Sequence, residues 1–325
     1  MIKYLFLIAA MAMGSSVLFA GDKSTAQEML AAAASQASLL QDSRRPFEMD
    51  VDFIAQFDTP RQGRLRLRWE SKDRWWSKVT VGPIEQIKFQ DGERTYTVRN
   101  IDFTPTQVRE LMDLLHVANH YDNLVVRKDR TRTDNGVVLD CMQTERRDIR
   151  NDLRHEICVH ADTREIVSDS WNWGEDRAYS KQFGDFADFA GHRYPRRLEL
   201  LKNGKTMISA KVVELKETPL DPQLLVPPRD SIERRECPNI KPPSMVSEPT
   251  LALGGRTGLN GSSMVEVTIL ADGKVGGVHV VQSGGALMDE LVVDAVGHSK
   301  YKPAMCGTEP VIAEMDVELG VRMSN

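Results

Sequence analysis

Histidines, cysteines and one serine are the residues through which this chain of 325 residues could do chemistry. His116 and His120 stand four apart at and just past the end of TPTQVRELMDLLH, a spacing that on a helix gives two zinc ligands. No glutamate lies between them as in HExxH and no third ligand is evident, so they read as solvated or capping histidines. His155 and His160 in HEICVH are five apart, which in a strand turns the two imidazoles to opposite faces. Ser283 in QSGG lacks the Gly-x-Ser-x-Gly elbow of a nucleophile. No phosphate loop or dinucleotide fingerprint is present. Gly276-Gly277, inside a strand pattern, marks a bulge or a close contact. No catalytic, metal or cofactor residue is assigned, and the chain reads as non-enzymatic.

The cysteines take their meaning from the N-terminus. MIKYLFLIAAMAMGSSVLFA has a basic start at Lys3, an apolar run and small residues before Ala20. This is the anatomy of a secretory signal over residues 1–20, cleaved after Ala20. The alternative is a retained inner-membrane anchor, although Gly14-Ser15-Ser16 interrupts the apolar run. Export to a periplasm makes an even cysteine count a disulfide framework, and four cysteines allow three pairings. Cys141 and Cys158 lie in two β-like runs and suit a bond between neighbouring strands. Cys237 and Cys306 then pair, tying the segment before the last domain to the turn after its helix. No two cysteines have CxxC spacing, which argues against metal.

Charge narrows the partners. From Val246 to Asn325 five Lys+Arg stand against ten Asp+Glu, while the remainder balances at 37 against 37. A nucleic-acid partner needs surplus positive charge, and none is concentrated here.

The elements that must position these residues follow from periodicity. Thr25–Leu40 is Ala-rich and reads as a helix. From Phe47, period-2 alternation takes over, with Leu65, Leu67 and Trp69 facing one way and Arg64, Arg66 and Arg68 the other. Asp91-Gly92 marks a hairpin. In TPTQVRELMDLLH, Thr104 can cap, Pro105 fits the first helical position and Gln107 completes a capping box. Val108, Leu111, Met112 and Leu115 make one apolar stripe. Strands resume until PLDPQLLVPP. The class is α+β: a large curved antiparallel sheet with helices against its concave side.

Arg229–Ser247 is polar and proline-containing, and residues 233–248 read as a linker. Beyond it, Met264–Leu270 and Val275–Val281 flank Asp272-Gly273 as a hairpin. Leu287, Met288, Leu291, Val292, Ala295 and Val296 share one helical face, and Gly297 and Pro303 halt that helix. PVIAEMDVELGVRM alternates as a last strand, so the order is β-β-α-β.

Two resemblances are carried by these patterns. The helix, long meander, second helix and LDPQLLVPP of residues 25–232, within a first domain of residues 21–232, are similar to the LolA-like unclosed half-barrels of periplasmic lipoprotein carriers. That resemblance implies a concave face able to hold a lipid or acyl chain. The alternative is that Trp69, Trp75, Trp76, Phe89, Trp171 and Trp173 simply fill a core. The order DGKV, SGG, YKPA and a closing strand begun by PV, within residues 249–322 of a last domain spanning 249–325, resembles the C-terminal domain of TonB-family proteins. It implies a module that binds outer-membrane transporters or other envelope proteins by adding a strand to its sheet, since an edge strand leaves N–H and C=O groups unpaired. Under this resemblance Val311, Ala313, Met315, Val317, Leu319 and Val321 lie on the partner-binding strand. Asp272, Gly273, Ser283, Gly284, Tyr301 and Pro303 are its structural marks. Force-transmitting members carry a membrane helix and a long proline-rich spacer, whereas this chain has a signal-like segment and a short linker. A retained anchor would make it an energy transducer.

Overall fold

The computed structural model describes residues 23–43, 45–57, 59–101, 103–147, 154–172, 178–235, 237, 240–254 and 260–321. The signal-like segment of residues 1–20 lies outside them. Among the described residues no helix is long and apolar enough to cross a membrane.

The period-2 sequence folds into one 13-stranded sheet. In chain order its strands are β1 (Phe47–Gln56), β2 (Pro60–Ser71), β3 (Arg74–Val81), β4 (Ile84–Asp91), β5 (Arg94–Arg99) and β6 (Leu124–Asp134). They continue with β7 (Val137–Arg146), β8 (Arg154–His160), β9 (Ile166–Asn172), β10 (Ala178–Phe189), β11 (His192–Lys202), β12 (Lys205–Glu217) and β13 (Ile232–Arg235). The spatial order is β13-β5-β4-β3-β2-β1-β12-β11-β10-β9-β8-β7-β6. The first and last strands of that order do not meet, so the sheet stays an unclosed half-barrel. Its hairpins are set by turn chemistry. Asn135-Gly136, Ala190-Gly191 and Asn203-Gly204 all have positive φ at both residues, as two-residue hairpin turns demand.

Helices α1 (Lys23–Ala37), α2 (Leu39–Asp42) and α3 (Thr106–Leu115) pack on the sheet. Helix α1 touches β6, β9 and β11, so the sheet curves around it. Leu30, Leu39, Leu40, Val108, Leu111, Leu114 and Leu115 join Phe47, Met49, Leu65 and Leu67 in one core. Each such side chain contributes about 1.5–3 kcal/mol by leaving water. Gln27 binds the edge strand as a peptide group would, donating to the Leu124 carbonyl at 3.3 Å and accepting from the Val126 N–H at 2.9 Å.

The arginines of β2 do not simply face water. Arg64 and Arg66 grip Asp50 at 2.7 and 3.0 Å, and Arg68 grips Glu48, burying both acids. The capping box expected at α3 does not form. Thr104 instead donates to Gln86 and accepts from Arg99, and Gln107 donates to the Gln56 carbonyl. Tertiary partners outbid the local cap.

The segment expected as a linker is structured in part. Its first residues extend the half-barrel as β13, while β14 (Ile240–Lys241) and β15 (Ser244–Met245) pair with the last part of the chain. There the elements are β16 (Gly261–Ile269), β17 (Val275–Gln282), α4 (Ala286–Gly297), β18 (Tyr301–Lys302), β19 (Ala304–Cys306), β20 (Glu309–Val311) and β21 (Ala313–Val321). The main small sheet has the order β17-β16-β21, backed by α4 through Met288, Val292 and Val296. A register shift skips Gly276 between Thr268 and Ile269, a bulge. Both disulfides form. Cys141 and Cys158 are direct ladder partners with Cα atoms 4.0 Å apart, and Cys237 joins Cys306 across 69 residues.

Candidate functional site

Among the described residues, strand β21 is an edge, pairing with β16 on one side only. Met315, Val317, Leu319 and Val321 pack in the core that α4 backs, with Val317 at 4 % exposure, and Ala313 is buried too. Their side chains therefore hold the strand down, and its free main-chain row is what a partner could use. Gly320, which has no side chain, is exposed, so the backbone is open to solvent there. Val311 is not on this strand. It pairs with Ala304 in the separate β14-β19-β20 sheet, and Ile312 breaks the run. Alternation alone had carried the strand two residues too far.

The residues marked as structural do meet. Lys274 N–H donates to Asp272 at 3.0 Å, closing the hairpin turn. A Cβ on Gly273, whose φ is +81°, would lie 2.4 Å from the Tyr301 carbonyl oxygen. The turn thus seats against Tyr301, itself 5 % exposed, and Pro303. Before α4, the Asp289 carboxylate accepts from Ser283 Oγ and Ser263 Oγ at 2.6 Å and from Gly284 N–H at 3.0 Å. Burial opposes ionisation of Asp289, but these bonds hold its carboxyl below the usual range.

The other face of this sheet meets the half-barrel. Glu266 of β16 lies directly opposite Asp316 of β21 on one side and His279 of β17 on the other. Arg109 of α3 bridges the two acids, with Nη2 at 2.7 and 2.8 Å from the Asp316 oxygens and Nη1 2.9 Å from Glu266. Arg234 of β13 reaches Glu314 at 2.6 Å, and Arg99 of β5 stands 3.6 Å from it. Phe103 stacks on His279 with centroids 5.2 Å apart. Burial, with the like charges of Glu314 and Asp316, pushes the Glu266 carboxyl up to about 7 despite Arg109. Glu314 goes the other way. Burial raises it, yet Arg234, Arg99 and Arg109 hold it below its ordinary value.

A cleft of about 470 Å³ opens between the helices and β2–β4, lined by Leu40, Leu67, Trp69, Trp75, Met112 and His116 among others. His116 is half-buried rather than freely solvated. It caps the end of α3 and its ring lies 6.3 Å from Trp69, edge-on. Burial, aided by Lys181 and His120, drives its pKa down to about 4, so it is neutral near pH 7. His120 is exposed and held in the left-handed region at φ 63°. The tryptophans divide between surfaces. Trp76 and Phe89 pack with Tyr96 under Leu220 and Leu225 of LDPQLLVPP, away from the cleft, and Trp171 stacks on Tyr179. Trp173 lies outside the described residues.

Sequence reasoning missed one polar network. His155 bridges Thr144, at 3.0 Å, and Asp169, which also accepts from Tyr121 OH at 2.7 Å. Asp169 is buried. Burial favours its neutral form, but the His155 bond and charge prevail and keep its carboxyl low. The order Thr-His-Asp resembles a nucleophile relay, yet Thr144 is 2 % exposed on a strand, and it lines neither the cleft beside His116 nor a second one beside Phe183. The network fastens β7–β9 to the Tyr121 turn. Its residues are scattered over 48 positions, so no local spacing announces it. Among the described residues, two groupings of three side chains could offer metal ligands. One contains Cys141 and Cys158, already joined in a disulfide, and the other contains Glu48 and Asp50, already neutralised by arginines.

Comparison with known proteins places these features in context. Residues 255–319 match the family model of the Gram-negative bacterial TonB protein C-terminal domain. Among solved structures, a LolA superfamily protein from Nitrosomonas europaea aligns with 61 % of this chain and 97 % of its own, at 11 % identity and TM-score 0.42. A putative outer membrane lipoprotein-sorting protein domain from Vibrio parahaemolyticus aligns with 62 % and 96 %, at 7 % identity and TM-score 0.43. A DUF1329 family protein from Desulfovibrio piger aligns with 60 % and 93 %, at 11 % identity and TM-score 0.41. A search of curated proteins gave no match.

Proposed function

We propose that the chain is an exported, non-enzymatic envelope protein whose C-terminal module, residues 249–325, binds partner proteins by strand addition in outer-membrane transport. The observation that carries this is the free edge of β21, with its apolar side chains committed to the core and its main chain exposed at Gly320. The match of residues 255–319 to the TonB C-terminal family supports it, and two disulfides suit an oxidising periplasm. The half-barrel of residues 21–232 then serves as the scaffold that presents the module. The test is recovery of outer-membrane transporters on the immobilised protein. Met315→Pro, which removes a ladder donor, should abolish recovery while circular dichroism stays unchanged. Equal recovery with a folded variant sinks strand addition.

A second reading rests on the cleft. Its volume of about 470 Å³ and its apolar walls of Leu40, Leu67, Trp69, Trp75 and Met112 suit a lipid or acyl chain. Native mass spectrometry of the protein purified from the envelope distinguishes a carrier, which retains bound lipid, from a scaffold, which is consistently empty. Whether residues 1–20 are cleaved separates both readings from a membrane-anchored transducer. N-terminal sequencing decides it, and a free amine at Gly21 excludes the transducer.

A further inference from the structure

Glu266 and Asp316 stand directly opposite each other on neighbouring strands, with Glu314 two residues along on the same face. Like charges opposite one another destabilise a strand pair unless a cation lies between them. The sheet face is therefore built to receive cations, and the cations it receives are borrowed. Arg109 comes from a helix, Arg99 from β5 and Arg234 from the edge strand β13.

The fit is incomplete. Arg109 points Nη2 at both Asp316 oxygens and reaches Glu266 only through Nη1. Although that ion pair spans 2.9 Å, its geometry is not that of a hydrogen bond, and neither Glu266 oxygen has a hydrogen-bond partner among the described residues. Glu266 is nonetheless 0 % exposed. An interface made only to fasten two bodies is as well served by apolar residues, because burying charges costs much of what their attraction returns. Fastening is in any case supplied elsewhere. The Cys237–Cys306 bond and the β14 and β15 pairings tie the segment after β13 to the module whether or not the arginines are in place.

We propose that the acidic face formed by Glu266, Glu314 and Asp316 is a docking surface for an extended, arginine-bearing segment of a partner protein, and that Arg99, Arg109 and Arg234 occupy it within the chain until such a segment displaces them. The partner is identified by its chemistry: guanidinium groups at alternate positions, spaced as strand side chains on one face. This surface is the face of the sheet and is distinct from the β21 edge. The carboxylate excess of residues 246–325, ten against five, steers a cationic segment toward it.

The test uses the full exported protein and a fluorescein-labelled probe peptide of alternating arginine and valine, with a glutamate-for-arginine peptide as control. Removing the internal occupants with Arg109→Gln and Arg234→Gln should tighten arginine-peptide binding by roughly tenfold or more over wild type. Adding Glu314→Gln and Asp316→Asn should erase that gain, and the glutamate peptide should show none. Equal affinity in wild type and the arginine-depleted variant overturns the proposal, as does a gain that survives loss of the acids. If the double variant fails to fold, Arg234→Gln alone decides by the same pattern at smaller amplitude, since its side chain is 38 % exposed on an edge strand. Failure here leaves strand addition untouched, because that reading depends on main-chain groups of β21.

Discussion

Glu266, on the sheet face of the module, and His116, in the cleft of the half-barrel, carry opposite pH signatures. A carboxyl raised from 4.5 to about 7 holds its proton more tightly folded than unfolded, so its contribution is lost as pH rises through that window. Glu110, raised to about 7 by burial, has the same sign. A histidine lowered from 6.5 to about 4 contributes stability above 6.5 that is lost as pH falls toward 4. Glu266→Gln should therefore be more stable than wild type at about pH 8, with the gap closing by about pH 5. Urea titrations at both pH values check this, and a gap that widens on acidification refutes the assignment. Asp289 offers a simpler case. Replacing it with alanine strands Ser283, Ser263 and Gly284 N–H, which should cost about 1–3 kcal/mol in chemical denaturation. Neither residue was conspicuous in the sequence. Asp289 read only as an acid in the first turn of a helix, and Glu266 as one polar member of an alternating strand. Arg109, the cation of Glu266, comes from a different element, and Asp289 gathers Ser263 from 26 residues away along with its near neighbours Ser283 and Gly284.

At the scale of elements, periodicity was a good guide and local capping a poor one. The alternation of Leu65, Leu67 and Trp69 against three arginines is a two-faced strand in the structure, and the β-β-α-β order survives with three short strands inserted after α4. What failed were inferences that needed tertiary context. Thr104 caps nothing because Gln86 and Arg99 hold it. Val311 leaves the last strand because Ala304 offers it a ladder. The hairpin turn Asp272-Gly273 and the Tyr301–Pro303 stop were separate marks in the sequence, and in the structure they touch. Gly273→Ala should destabilise the module by about 1–3 kcal/mol, since φ stays positive and the new Cβ meets the Tyr301 carbonyl. Hydrogen exchange would show faster opening of β16 and β17 with β1–β12 unchanged. Equal acceleration in both bodies would mean that the turn is not a local seat.

For the whole molecule, the half-barrel and the module are joined three ways: through the arginine–carboxylate cluster, through the segment from β13 to β15, and through Cys237–Cys306. The disulfide pairing was legible once export was inferred, whereas the cluster was not, because Arg99, Arg109 and Arg234 sit in three unrelated sequence contexts. Cys237→Ser with Cys306→Ser should lower stability by about 2–4 kcal/mol and speed exchange in β14 and β19 first. The most direct test of the central proposal, strand addition at β21, is in-cell photo-cross-linking from position 318. The account predicts an adduct with an extended segment of another envelope protein, lost in Met315→Pro. An adduct of equal yield in that folded variant, or the same adduct from Val280 on the opposite edge strand, would contradict it.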